Sequence, residues 1–146
     1  MTRYFCHDNP DVFALETRVR ASRPDAVLLE TSPFYPGGGG QLPDRGTIAW
    51  SGGEAVVTGF ETHADGCVWH RVEGAPPEGD VLAKVDRPFR DLMSELHTVS
   101  HIVNALVFQD FGGALVTGVQ MAADGTFRID FDLPGADNDK LKALEP

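Results

Sequence analysis

The sequence predicts an α+β protein, in which a small N-terminal β-barrel (residues 1–86) precedes the beginning of an α/β core (residues 87–146). Up to Asp86 the chain consists of short apolar runs rich in β-branched residues, separated by Gly and Pro, which is typical of a small antiparallel barrel or sheet. From Pro88 onwards, apolar residues instead recur every three or four positions, which indicates one long amphipathic helix.

Five apolar runs are the predicted strands of the barrel, and they cover residues 26–30, 46–50, 54–58, 66–72 and 81–85. Glycine-containing turn signals at residues 51–53 and 64–66 predict hairpins between neighbouring strands.

The long helix has recognisable start and stop signals. Pro88 suits a first helical turn, Asp86 is a candidate N-cap, and the helix should end near Gly112 and Gly113. The apolar stripe predicts a core face made of Leu92, Leu96, Val99, Val103 and Leu106. A second stripe, roughly opposite, consists of Met93, His97, Ser100, His101 and Asn104.

Two further strands are predicted after the helix, at residues 114–121 and 126–133, with a turn at residues 123–125. A final polar stretch, residues 137–145, begins like another helix.

Composition restricts the classes of partner. The 146 residues contain 12 Lys and Arg against 22 Asp and Glu, a net charge of −10. Because an acidic chain is poorly suited to broad contact with phosphates, any nucleic-acid contact should be local, at one end of the polymer. Cys6 and Cys67 do not form a disulfide framework. No apolar run approaches the ~20 residues of a membrane span, so we expect no membrane association and a cytoplasmic location.

The strongest chemical motif is the pair His97 and His101. Residues four apart share one helix face, so both imidazoles can bind one metal ion, and histidine is a common zinc ligand. A catalytic zinc ion needs three protein ligands and one open position. A metalloprotease would need Glu directly after the first His, where Thr98 stands. The alternative is a pair of solvated or hydrogen-bonded histidines.

A second motif contains four consecutive glycines, residues 37–40, followed by Gln41. Glycine allows backbone conformations and close approaches that other residues do not. The pattern fits neither a phosphate-binding loop nor a dinucleotide fingerprint, and the alternative is a flexible loop of the barrel. Cys67 and His70 could also suggest a metal site, but in a strand they face opposite sides.

Taken together, these motifs resemble the alanyl-tRNA editing proteins. Residues 31–48 resemble the glycine-rich motif of that family, and Asp86, Arg90, residues 97–101 and residues 128–132 follow in the family's order and at roughly its spacing. The resemblance extends from about Val27 to Pro134 and is to the freestanding AlaX type. The editing region of threonyl-tRNA synthetase shares the histidine pair but would not explain the glycine-rich barrel.

The resemblance implies a hydrolase that deacylates mischarged Ser-tRNA(Ala), and Gly-tRNA(Ala) as a second substrate, at the acceptor end of tRNA(Ala). It implies Zn²⁺ as the cofactor, bound by His97 and His101. Thr117 resembles the hydroxyl-sensing position and Gln41 lies in the glycine-rich loop, so both are expected catalytic residues. The expected substrate-binding residues are Gly38, Gly39, Gly40 and Ser100, whereas Asp130 is expected to be structural.

The sequence departs from the family at one point. The family completes its zinc site with a downstream Cys-x-x-x-His pair, but no Cys or His follows His101. We therefore expect an AlaX-type protein that lacks the C-terminal part, with an incomplete zinc site. Three functions stay open: an editing hydrolase, a non-catalytic binding or assembly module, and a split enzyme completed by a second chain or the missing segment.

Overall fold

Six antiparallel strands close into a β-barrel in the first part of the chain, which confirms the predicted architecture. The computed structural model describes residues 3–74, 78–135, 139, 142 and 143. The barrel strands are β1 (Ala14–Arg23), β2 (Ala26–Leu29), β3 (Gly46–Trp50), β4 (Gly53–Thr62), β5 (Val68–Val72) and β6 (Gly79–Val85). They follow the order β1-β2-β5-β4-β3-β6, and β6 pairs back with β1 to close the barrel.

Alternation along the strands fills the barrel interior, because successive side chains of a strand point to opposite faces. In β5, for example, His70 and Val72 are buried while Arg71 between them is exposed. Val27, Ile48 and Ala83 are completely buried in the same apolar cluster. His70 is buried inside this barrel, and residues 3–74 and 78–135 contain no group of three potential metal ligands that would include Cys67 and His70.

Two elements near the N-terminus were not predicted from the sequence. A short helix, α1 (Phe5–Asp8), precedes the barrel, and β1 is ten residues long. Charged residues occupy much of β1, and Val19 is its one buried residue, so its apolar signal is weak. Pairing with β2 and β6 makes it a strand.

The long helix, α2 (Arg87–Asp110), begins and ends where the sequence predicts. The Asp86 side chain accepts a hydrogen bond from the Phe89 amide at 3.1 Å, as an N-cap does. At the other end, Gly112 has φ of +65°. The Gly113 amide donates to the Phe108 carbonyl at 2.8 Å, which satisfies a carbonyl that the last turn leaves open.

The predicted core face of α2 is correct for Leu96 and Leu92, which lie in or against the buried cluster, but wrong for Val99 and Leu106. Among the described residues, the buried side chains of the helix are Phe89, Arg90, Met93, Leu96, Ser100 and Val107, whereas Val99 is 43% exposed and Leu106 is 48% exposed. Met93, predicted opposite the core, is completely buried. The reason is tertiary: the partners of this cluster come from the glycine-rich loop and the second sheet, and they are Leu42, Val119, Met121 and Phe127.

The second sheet is a hairpin of β7 (Leu115–Met121) and β8 (Phe127–Asp132). Both strands and their turn agree with the prediction. The predicted helix at residues 137–145 lies largely outside the described residues. No helix among residues 3–74 and 78–135 has both the length and the hydropathy that crossing a membrane requires.

One buried ion pair joins the barrel to α2. The Arg90 guanidinium donates to the Asp44 carboxylate through Nη2 and, at 3.1 and 3.3 Å, through Nε. Nη2 also donates to the Pro33 carbonyl at 2.6 Å. Both side chains are almost fully buried, where a charge is tolerated when it is paired and hydrogen-bonded. The pair therefore sets how α2 meets the loop between β2 and β3.

His70 makes the stability of the barrel depend on pH. Its Nδ1 lies 3.3 Å from the Val27 carbonyl oxygen, which can only accept. Because burial disfavours the charged ring, Nε2 is unprotonated at neutral pH and accepts from the Ser32 hydroxyl at 2.7 Å. Burial lowers the pKa of His70 from 6.5 to about 4.

We predict that acidification destabilises the wild type more than a His70→Gln variant. The unfolded state binds a proton near pH 6.5 and the folded state only near pH 4, so stability is lost as the pH falls between these values. The pKa difference corresponds to about 3 kcal/mol by pH 4. Urea denaturation at pH 7, 5.5 and 4 measures this, with His63→Gln as an exposed control. Parallel pH profiles for wild type and His70→Gln would contradict the prediction.

Candidate functional site

The glycine-rich segment forms an ordered loop between β2 and β3. The Gly38 amide donates to the Gln41 carbonyl at 3.2 Å, and the Gln41 amide donates back to Gly38 at 3.1 Å. Gly39 and Gly40 between them have φ of +61° and +83°, the left-handed region that favours glycine. The Tyr35 hydroxyl donates to the Gly38 carbonyl at 3.0 Å. These bonds hold Gln41 in a fixed position relative to the barrel.

Gly40 also brings the loop into contact with the second sheet. Its carbonyl accepts a hydrogen bond from the Met121 amide at 2.8 Å. A Cβ atom on Gly40 would lie only 2.3 Å from the Val119 carbonyl oxygen. Only glycine permits this approach, so the residue is required at the contact between loop and β7.

The loop and α2 meet through Gln41 and His97. Gln41 Oε1 lies 3.2 Å from His97 Nδ1, and because this oxygen can only accept, Nδ1 is the donor. The other ring nitrogen of His97, Nε2, lies 3.0 Å from His101 Nε2. His97 is half-buried and His101 is exposed. The structure therefore joins three predicted site residues in one connected array.

The histidine pair fits part of a zinc site. Zinc binds histidine nitrogens at about 2.0–2.1 Å with tetrahedral geometry, which separates two such nitrogens by about 3.3 Å. The observed 3.0 Å between the Nε2 atoms is close to that separation. In zinc sites, a bond like that from His97 Nδ1 to Gln41 commonly orients a ligating histidine. Residues 3–74 and 78–135 contain no group of three potential metal ligands, so this pair alone does not complete a catalytic site.

The other predicted site residues lie in different surroundings. Ser100 is buried, and its hydroxyl donates to the His97 carbonyl at 2.7 Å. Thr117 is exposed on β7, where the pairing register with β8 shifts between Val116 and Gly118. Gly38 and Gly39 are exposed at the loop tip. The roles of these residues in substrate binding and catalysis stay predictions.

A small cavity of about 240 Å³ opens beside His97 and Gln41. One wall of the cavity is formed by the N-terminal residues Cys6, His7 and Pro10. None of these three residues belongs to a predicted site. No spacing rule connects residues so far apart along the chain, so the sequence contains no signal for this contact. A larger open groove lies on the barrel wall near Trp50 and Asp80 and contains none of the predicted site residues.

Cys6 contributes packing to this wall. Its thiol lies 3.7 Å from the Phe34 carbonyl oxygen, to which it donates. Burial raises the pKa of the Cys6 thiol, which favours the neutral form over the thiolate that binds metals.

Sequence comparison relates the chain to alanine–tRNA ligases. The chain is 32% identical to the enzyme of Elusimicrobium minutum over 79% of its own length and 14% of that protein. With the enzyme of Korarchaeum cryptofilum it is 31% identical over 99% of the chain and 16% of the protein. With that of Methanopyrus kandleri it is 43% identical over 53% of the chain and 8% of the protein. No protein-family model matches the chain.

The fold and the site therefore define a barrel-and-helix module that matches a small part of much longer synthetases. The chain is a homologue of one segment of alanine–tRNA ligases, which confirms the resemblance to the alanyl-tRNA editing proteins.

We predict that Gly40→Ala destabilises the contact between loop and β7 far more than Gly39→Ala. Both residues have positive φ, so alanine costs about 1–2 kcal/mol of backbone strain at either position. An added Cβ at Gly39 meets nothing within 4 Å, whereas at Gly40 it collides with the Val119 backbone. Thermal denaturation and hydrogen exchange of the Met121 amide measure the difference. Equal losses for the two variants would contradict this close approach.

Proposed function

We propose that this chain carries an editing site that hydrolyses the aminoacyl ester of mischarged tRNA(Ala), with Ser-tRNA(Ala) as substrate and Gly-tRNA(Ala) as a second one. The observation that carries the proposal is the contact between Gln41 of the glycine-rich loop and His97 of α2. Homology to alanine–tRNA ligases supports a substrate related to tRNA(Ala). The chain spans only 14% and 16% of the length of these two relatives, so their activity is not transferred as a whole.

Hydrolysis of an aminoacyl ester suits the residue types at this site. An aminoacyl ester is already activated, so the attacking water mainly needs orientation and electrostatic stabilisation. Gln41 holds the His97 ring by accepting from Nδ1, which leaves the lone pair of Nε2 available. His97 is thus a positioned base or ligand at a half-buried surface, and Gln41 acts through it. The Ser100 hydroxyl donates to the His97 carbonyl and so stabilises the same helical turn.

We also propose that His97 and His101 are two ligands of a zinc ion, with the remaining ligands from outside the described residues. A bound zinc ion would polarise the ester carbonyl or lower the pKa of a water molecule. The convergence of the two Nε2 atoms and the bond from His97 to Gln41 support this assignment.

We predict that His97→Ala lowers deacylation of Ser-tRNA(Ala) to the level of the uncatalysed reaction. Gln41→Ala should lower it roughly 10- to 100-fold, because an outer-shell residue of this kind orients the ring without replacing it. The assay follows release of labelled serine at constant tRNA concentration. Thr98→Ala is the matched control: Thr98 is exposed on the same helix turn, and its hydroxyl donates to the Ser94 carbonyl within the helix. Wild-type activity in His97→Ala would refute the proposed role of the histidine.

We further propose that Thr117 senses the hydroxyl of serine, and that a Thr117→Val variant loses selectivity. A site that hydrogen-bonds the substrate hydroxyl discriminates against a substrate without it, because its own polar group is then left unpaired. The ratio of kcat/KM for Ser-tRNA(Ala) and Ala-tRNA(Ala) should fall in the variant. An unchanged ratio would remove Thr117 from the specificity site.

The second candidate function is a binding or assembly module without hydrolysis, or one half of a split enzyme. The two-histidine donor set among the described residues favours it. Elemental analysis of the purified chain separates the cases. Stoichiometric zinc together with deacylation supports the hydrolase. Zinc and activity that appear only after addition of a partner chain support the split enzyme, whereas tRNA binding without either supports the module.

A further inference from the structure

We propose that the aromatic side chains Tyr4, His7 and Tyr35 form a stacking surface for an unpaired nucleobase at the 3′ end of RNA. The inference rests on the proposed function, since it assigns the position of one part of that substrate. It concerns a segment of the chain to which neither the motifs nor the editing chemistry assigned a role.

The three rings form a continuous surface. The centroids of Tyr4 and His7 are 5.3 Å apart with an interplanar angle of 58°, and those of His7 and Tyr35 are 5.8 Å apart at 49°. The tilted rings contact one another and leave the central His7 exposed to solvent. A planar ligand can therefore reach its ring, whereas Tyr4 and Tyr35 are half-buried and support it.

This surface is continuous with the candidate editing site. His7 and Tyr35 line the same cavity of about 240 Å³ as Gln41 and His97. That volume lies just below the usual range for small-ligand pockets, about 300–1,000 Å³. The aminoacyl ester lies on the terminal ribose of tRNA, so an ester near His97 places the terminal base within the same small region.

The N-terminal segment is held in place by buried contacts. Arg90 Nη1 donates to the carbonyls of Pro10 at 3.2 Å and Val12 at 3.5 Å. The Cys6 thiol donates to the Phe34 carbonyl, and the Tyr35 hydroxyl donates to Gly38. Burial raises the pKa of Tyr35, so this hydroxyl stays protonated as a donor. The stacking surface is thus anchored to α2 and to the glycine-rich loop.

The chemistry favours a base over other ligands. Unpaired RNA bases are recognised by stacking on Tyr, Phe, Trp or His side chains. Stacking needs no positive charge, which suits a chain with a net charge of −10. The expected contact is local, at one end of the nucleic acid.

The test measures the affinity of the chain for deacylated tRNA(Ala) with its complete 3′ end and for the same tRNA without the terminal adenosine. Wild type should bind the complete tRNA more tightly, by roughly 5- to 150-fold, the usual effect of one stacked base. His7→Ala should bind both forms equally weakly. His7→Phe should keep the preference, because it keeps the ring.

Two controls distinguish a loss of base stacking from a structural change in α1. Both His7 variants lose the Nδ1 atom that accepts from the Tyr4 amide at 3.3 Å, so equal losses in both would assign the effect to α1 and overturn the proposal. His63→Ala removes another exposed histidine, on the barrel, and should bind like wild type.

Equal wild-type affinity for the two tRNA forms, or an unchanged preference in His7→Ala, would also overturn the stacking role. Deacylation of Ser-tRNA(Ala) by the wild type is measured in parallel. If hydrolysis occurs without a terminal-base preference, the stacking surface fails and the editing function stands. If the preference occurs without hydrolysis, the stacking surface stands and the hydrolase assignment fails.

Discussion

The buried pair of Asp44 and Arg90 is the interaction on which the arrangement of the site depends. The Arg90 guanidinium donates hydrogen bonds to the Asp44 carboxylate and to the carbonyls of Pro33, Pro10 and Val12. One side chain of α2 thereby holds the N-terminal segment and both ends of the glycine-rich loop. A buried ion pair of this kind adds little net stability compared with apolar packing, but removal of one partner costs about 3–5 kcal/mol because a buried charge is left unpaired. Its contribution here is mainly geometric.

The Asp44–Arg90 pair holds the glycine-rich loop, and this loop in turn contacts the second sheet. With the loop held by Asp44, Gly40 contacts the backbone of β7, and Gln41 reaches His97. The loop is therefore a rigid connector between barrel, helix and hairpin. At Gly40 the positive φ accompanies a close backbone approach to β7, whereas a Cβ at Gly39 would meet nothing within 4 Å.

Local signals explain which predictions from the sequence are confirmed. The strands from β2 to β8 carry apolar residues between clear turn signals. The N-cap Asp86 and the glycines after α2 interact with residues that are close to them in sequence. β1 lacks that signal, because its charged residues alternate and one of its two pairing partners, β6, is distant in sequence. The core face of α2 was predicted only in part for a similar reason. Apolar residues occur on more than one side of the helix, and the position of the loop and the hairpin decides that Met93 is buried while Val99 is exposed.

The sequence by itself determined the barrel strands β2 to β6, the extent of α2, the relationship to alanine–tRNA ligases and the spacing that places His97 and His101 on one helix face. Each of these depends on neighbouring residues or on recognisable motifs. Only the tertiary structure decided that Gln41 meets His97, that Arg90 is buried against Asp44, and that His7 and Tyr35 line one cavity with His97. These contacts join residues that are between 28 positions apart, for His7 and Tyr35, and 90 positions apart, for His7 and His97. Such contacts cannot be predicted from the separation along the chain, because the packing of whole helices, strands and loops brings the residues together.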